Sequence, residues 1–252
     1  MLTVGVDLAA EPANTAVARV RWVAGRVEVE ALAVGADDAM LVDEIVAADK
    51  AGLDCPLGWP RRFVEFVAQH QDGRFVAPAD IAGKDWRRRL ALRETDLATR
   101  AATGLVPLSV AADRIGLAAM RCAGLLARLA AAGQLVDRAG SGVVVEVYPA
   151  AALKHWGLPY RGYKGHRQHR RPAPAGGPAV CRGALAPAGR LRAGLPAQRP
   201  RPRRRHRRAD RPRRRCAAPP HRPPSTRPAA RTEGWIAPPT GSLTDLTSNT
   251  PD

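Results

Sequence analysis

Three acids share one placement. Asp7 closes the apolar run Thr3-Val-Gly-Val-Asp7, Asp54 closes Ala51-Gly-Leu-Asp54, and Glu146 sits near the end of Val143-Val-Val-Glu-Val-Tyr-Pro149. A carboxylate in an apolar strand is costly to bury alone, so it must pair with a cation, accept hydrogen bonds or hold a metal. Strand ends of an α/β sheet face a common crevice where ligands bind. Three acids converging there would repel one another unless a divalent cation sat among them. Mg²⁺, or Mn²⁺ in its place, takes oxygen ligands and keeps waters that phosphate oxygens can replace. Two such ions about 4 Å apart can clamp the attacking and leaving oxygens of a phosphodiester displacement. The alternative is that each acid caps its strand end or pairs with a nearby arginine.

The elements that must position these acids are legible in the pattern. Leu2 to Asp7 reads as a buried strand. Thr15 to Val23 and Arg26 to Val34 alternate apolar and polar around Ala24-Gly25, a hairpin pattern. Met40, Leu41, Glu44, Ile45 and Ala48 have helical spacing. Ala51 to Cys55 reads as a second buried strand, stopped by Pro56 and Gly58-Trp59-Pro60. Arg61 to His70 reads as helix, and a short helical piece is expected around Arg87 to Arg100. Ser109 is placed to N-cap a long helix with the apolar face Ile115, Ala118, Cys122, Leu125, Leu126 and Leu129, ended by Gly133 or Gly140. Val143 to Val147 is a third buried strand and Ala150 to Trp156 a short helix. Antiparallel strands followed by strands separated by helices predict an α/β fold: a mixed sheet flanked by helices.

The order Val4-Gly-Val-Asp-Leu-Ala9, Leu53-Asp-Cys-Pro-Leu-Gly-Trp-Pro60, Arg93-Glu-Thr-Asp96 with Arg100, Glu146-Val-Tyr-Pro149 and Tyr163-Lys-Gly165 resembles the domain-of-unknown-function family 429. Its members are described as predicted nucleases of ribonuclease-H-like fold. Glu233-Gly-Trp-Ile236, Pro238 and Gly241-Ser-Leu243 resemble the end of that family. The resemblance covers residues 2–164 and 231–243 and implies roles. Asp7 and Asp54 would lie on adjacent central strands and hold metal, with Asp7 bridging two ions and Glu146 as a third carboxylate. Arg93, Asp96 and Arg100 fall on one helix face and would position a phosphate. Lys164 would be a further phosphate contact. The plainer readings are a solvated salt-bridge face and a solvated loop lysine. Trp59 and Trp156 read as packing residues.

A site of this kind usually needs a fourth carboxylate from a late helix, of the type Asp-Ala-Leu-Asp-Ala-Leu in the resembled family. At that place the chain has Arg203-Arg-Arg-His-Arg-Arg-Ala-Asp-Arg-Pro-Arg-Arg-Arg215. Arginine codons of the CGN kind, read one base later, begin with G and give Asp, Ala, Val, Glu or Gly. Shifted this way, the run can spell Asp-Asp-Ala-Ile-Asp-Ala-Leu-Thr-Ala-Leu and three alanines. Residues 166–225 are therefore read as translated out of frame, through a sequencing error or compensating indels, and the last helix as missing. The expected organisation is a ribonuclease-H-like domain over residues 1–164, an Arg/Pro-rich disordered or out-of-frame segment over 165–230, and a tail over 231–252.

Composition agrees with that division. The chain has 252 residues and a net charge of +17. Residues 161–232 hold 22 basic residues, one acid and 13 of the 23 prolines, for a local charge of +21, and the remainder carries −4. The pI near 11 is thus no property of the domain. No apolar run reaches about 18 residues, so no membrane span is expected, and Met1-Leu-Thr-Val-Gly-Val-Asp7 is not expected to act as a signal peptide. Cys55, Cys122, Cys181 and Cys216 form no CxxC pair, and His206 and His221 add no zinc-finger spacing. Reduced thiols in a cytoplasmic protein are the expectation.

Three functions are weighed. The first is a metal-dependent nuclease acting on DNA or RNA, inactive if the missing helix is essential. The second is a non-catalytic nucleic-acid-binding protein using the Arg-rich segment, which has no aromatic residue between His166 and Glu233 on which bases could stack. The third is an actin-like phosphotransferase, ranked last because the turn Leu8-Ala-Ala-Glu-Pro-Ala-Asn14 lacks the glycine a phosphate turn wants.

Overall fold

The first strand, β1 (Leu2–Asp7), lies at the centre of a five-stranded sheet. In the computed structural model the described residues are 1–23, 26–162 and 227–245. β2 (Ala16–Val23) and β3 (Arg26–Val34) form the hairpin, and β4 (Lys50–Leu53) and β5 (Val144–Glu146) complete the sheet in the order β3-β2-β1-β4-β5. β1–β2 and β2–β3 are antiparallel, while β1–β4 and β4–β5 are parallel. The mixed sheet read from the alternation is present.

Among the described residues seven α-helices accompany it: α1 (Asp38–Ala47), α2 (Arg61–Gln71), α3 (Lys84–Ala91), α4 (Glu94–Thr103), α5 (Gly116–Ala131), α6 (Pro149–His155) and α7 (Arg227–Glu233). Asp37 caps α1 by accepting from the Met40 N–H at 2.8 Å. Val4 and Val6 of β1, Ala51 and Leu53 of β4 and Val144 of β5 alternate onto one face. There they meet Leu41 and Ile45 of α1 and Cys122, Leu125 and Leu129 of α5, all fully enclosed.

The other face is different. Gly5 is exposed, with nothing within 4 Å of where a Cβ would stand. Leu32 and Val34 of β3, in register with Ala18 and Ala16, are 42% and 49% exposed. Among the described residues, none of the strand side chains in the main core cluster lies on this face.

Two expected elements are built otherwise. The single helical piece around Arg87 to Arg100 is two helices, because Leu92 and Arg93 are extended and Arg93 turns inward. The long helix starts at Gly116, not at Ser109. The Ser109 hydroxyl instead accepts from the Ala111 and Ala112 N–H groups and donates to the Ala91 carbonyl at 2.6 Å, closing a separate turn. Gly133, with φ of 77°, follows the end of α5 as expected.

The tail packs on the body. Ile236 forms a parallel bridge with Glu146, and the Ala237 N–H donates to the Glu146 carbonyl at 2.9 Å. Two motif glycines permit this approach. A Cβ on Gly58 would stand 2.6 Å from the Thr232 carbonyl oxygen. Gly234 has φ of 86°, and a Cβ there would stand 2.9 Å from Glu146 Oε2.

Candidate functional site

The register of the parallel strands sets the two aspartates side by side. Val6 pairs with Leu53, and the Asp54 N–H donates to the Val6 carbonyl at 2.8 Å, carrying the ladder one residue further. Asp7 and Asp54 are therefore neighbours across about 4.8 Å of interstrand spacing, at the carboxyl ends of β1 and β4. Asp7 is exposed and Asp54 half-buried.

Glu146 does not join them in register. It pairs with Leu53 rather than with Asp54. Period-two alternation directs it to the face of Leu53, opposite the aspartates. Val147 takes the place on their face, its Cγ1 3.1 Å from where a Gly52 Cβ would stand. Among the described residues, no three His, Cys, Asp or Glu side chains gather into a group fit for a metal ion. The expectation that Glu146 completes a three-carboxylate metal set meets this difference of one residue in register.

Glu146 holds an arginine. Arg93 Nη2 donates to its Oε1 at 2.7 Å and Nη1 to its Oε2 at 2.8 Å, and the Leu57 N–H donates to Oε2 at 3.0 Å. The same guanidinium donates to Asp96 through Nε and Nη2, at 3.2 and 2.9 Å, and to the Glu233 carbonyl at 3.1 Å. Arg93, Asp96 and Glu146 are no more than 3% exposed. Burial works against the Arg93 charge, but Glu146 and Asp96 outweigh it and hold the guanidinium more firmly protonated than usual. The expected phosphate-positioning face is thus divided: Arg93 and Asp96 are enclosed and bind each other, and only Arg100 is exposed. Lys164 lies outside the described residues.

Glu233 was not singled out as a site residue, yet it ties three segments. Its Oε1 accepts from the Arg61 N–H and its Oε2 from the Glu94 N–H, both at 2.8 Å. One carboxylate therefore satisfies the first turns of α2 and α4, where an anion is favoured. The signal was present in Glu233-Gly-Trp-Ile236, but no local pattern shows which helices such a distant acid reaches.

Arg121 of α5 was also missed. It donates to Asp38 at 2.8 Å, to the Ala9 carbonyl at 2.9 Å, to the Thr15 hydroxyl at 2.6 Å and to the Ala36 carbonyl at 3.1 Å. These bonds fix the turn that follows Asp7. Cys55, next to Asp54, contacts Cys122. That hydrogen bond and burial push its thiol well above the usual range, so it packs as a neutral group rather than serving as a nucleophile. Trp156 donates from its indole to the Gly241 carbonyl at 3.0 Å, a packing role, and Trp59 is half-buried.

A cleft of about 320 Å³ opens beside these groups, lined by Asp54, Arg93, Glu146, Tyr148, Leu108 and Ile236 among others. A second concavity of about 380 Å³ lies between Trp156 and tail residues such as Ser242 and Asp245. It shares no lining residue with the first cleft and is formed by α6 and the tail, His155, Ser242 and Asp245 among them.

The model of one family, proteins of unknown function (DUF429), matches residues 5–211. The chain belongs to the DUF429 family. The DUF429 match takes in Asp7, Asp54, Arg93, Asp96 and Glu146 and stops short of the docked tail. No curated protein and no solved structure matches the chain. No helix among the described residues is long and apolar enough to cross a membrane.

Proposed function

We propose that this DUF429 protein is a metal-dependent nuclease of ribonuclease-H-like architecture. The observation that carries the reading is the pairing of Asp7 with Asp54 at the carboxyl ends of adjacent parallel strands. The strand order, with an antiparallel hairpin on one side of β1 and parallel strands on the other, supports the architecture.

Two carboxylates one strand apart suit a single hard cation such as Mg²⁺ or Mn²⁺, which needs only one or two carboxylates beside water and substrate oxygens. They do not make a complete two-ion site among the described residues. When bound, the ion would supply charge neutralisation and an acidified water. Asp7 and Asp54 would hold it, and their backbones are fixed by the sheet. Arg93 and Glu146 serve as the clamp that keeps the cleft wall and the tail in place.

Incubating the purified protein with DNA and with RNA, in Mg²⁺ and in Mn²⁺, tests this. Cleavage that Asp7→Asn and Asp54→Asn each abolish is the expected result. Cleavage that survives Asp7→Asn, or none on either polymer with either metal, would overturn it.

A second reading, non-catalytic nucleic-acid binding through residues 165–230, is favoured by the charge of +21 over residues 161–232. That segment would grip phosphates without sequence preference and with strong salt dependence. The phosphotransferase reading gains nothing, since the turn after Asp7 has no glycine and is held by Arg121 and Thr15.

A further inference from the structure

The α2–α3 lobe is held together by itself rather than by the core. No residue of α2 or α3 is fully buried. Phe66 packs edge-on against Phe75 and Trp86, at centroid separations of 5.1 and 5.6 Å, and stacks on His70. These contacts fix α3 against α2.

The lobe concentrates positive charge. Residues 61–91 hold seven basic and four acidic residues, a net of +3, whereas the other described residues hold 14 and 17, a net of −3. Four of its arginines are paired, Arg61 with Glu65, Arg74 with Asp72, Arg88 with Asp85 and Arg89 with Asp80. Arg62, Lys84 and Arg87 are exposed and make no ion pair or hydrogen bond among the described residues. The first turn of α2 also follows directly from the aspartate end of β4. Arg61 follows Asp54 by seven residues, and its N–H is pinned by Glu233.

We infer that the α2–α3 lobe is the surface on which a nucleic-acid backbone lies when it reaches the Asp7–Asp54 pair, gripped by Arg62, Lys84 and Arg87. This deepens the nuclease reading and rests on it. Two carboxylates repel a polyanion, and the adjacent cations offset that repulsion and raise the local concentration of strand. Phe66, Phe75 and Trp86 pack on one another, and the cations of the lobe suit phosphates rather than base stacking. The contact is to phosphates, and it carries no sequence preference.

Arginine footprinting on the full-length protein tests this, because it reads each arginine separately from the Arg-rich segment. Phenylglyoxal modification would be followed by peptide mass spectrometry, with and without a mixed-sequence DNA duplex at low salt. Arg62 and Arg87 should be modified about fivefold more slowly with DNA, and the protection should vanish as salt rises. Arg128, exposed on α5, should not change. Equal modification of Arg62, Arg87 and Arg128 while the duplex is bound would overturn the inference, even if metal-dependent cleavage is found. Where cleavage is found, Arg62→Glu with Arg87→Glu should raise KM about tenfold at unchanged kcat. An unchanged KM would also overturn it. Protection by an acidic protein but not by DNA would assign the lobe to a protein partner and defeat the proposal.

Discussion

Arg93 and Glu146 meet in a two-pronged ion pair, at 2.7 and 2.8 Å, with both side chains enclosed. Such a pair is not in itself strong evidence of stability, but losing one partner strands a buried charge. Arg93→Met should therefore cost roughly 3–5 kcal/mol in chemical denaturation. The double variant Arg93→Met with Glu146→Leu should cost less than the two single changes combined. A strictly additive cycle would show that the pair is not coupled.

The aspartate pair predicts a response to metal. Asp7→Asn removes one of the two carboxylates that would hold the ion, and its metal-free melting temperature serves as its own reference. In the parent protein, Mg²⁺ at about a hundred times its Kd would add about 2.7 kcal/mol. Thermal melts across a Mg²⁺ titration should show that rise for the parent and a flat response for Asp7→Asn.

Gly234 has φ of 86° and faces Glu146 Oε2. Gly234→Ala places a methyl against the clamped carboxylate and in a strained backbone region. A loss of more than about 1 kcal/mol is expected, together with faster proteolysis of the tail. A melting curve identical to the parent would contradict the close approach.

Glu233→Gln keeps the shape of the residue that caps α2 and α4 but removes its charge. A loss of about 0.5–2 kcal/mol is expected from the weakened caps. Hydrogen exchange should quicken at the Arg61 and Glu94 amides before it quickens in β1.

The Ser242 N–H and hydroxyl hold the Asp245 carboxyl below its ordinary value. A depressed folded-state pKa contributes stability that is present above the unfolded value and is lost as pH falls through the folded one. The Ser242–Asp245 turn should therefore loosen only in that acidic window. Carboxyl NMR titration should place Asp245 below an exposed reference aspartate, and Ser242→Gly, which removes the hydroxyl but keeps the backbone N–H, should move it only part of the way back.

Much of the sheet was legible because a half-buried strand must alternate and a fully buried one must run apolar. Leu2–Asp7 and the hairpin declare themselves for that reason. The placement of Asp7 and Asp54 followed from where those runs stop. The partner of Glu146 was not legible, because type and neighbourhood do not report register. One residue earlier in Val143–Val147 is the other face of the sheet. Arg93 looked like part of a continuous helix because its spacing to Asp96 and Arg100 is helical. The inward turn at Leu92–Arg93 is set by Glu146, 53 residues away. No local periodicity encodes such a partner, and the same holds for Glu233 and Arg121.

The anchoring of α2 and α4 by Glu233 makes the integrity of the far end of the polypeptide a condition of the whole. A ribosome that halts within residues 163–226, or slips there without slipping back, releases a body whose central arginine has lost a carbonyl and whose two helices have lost their shared acid. Products that fail to reach the last turn of the message would thus announce themselves to proteases by an open seam beside Arg93.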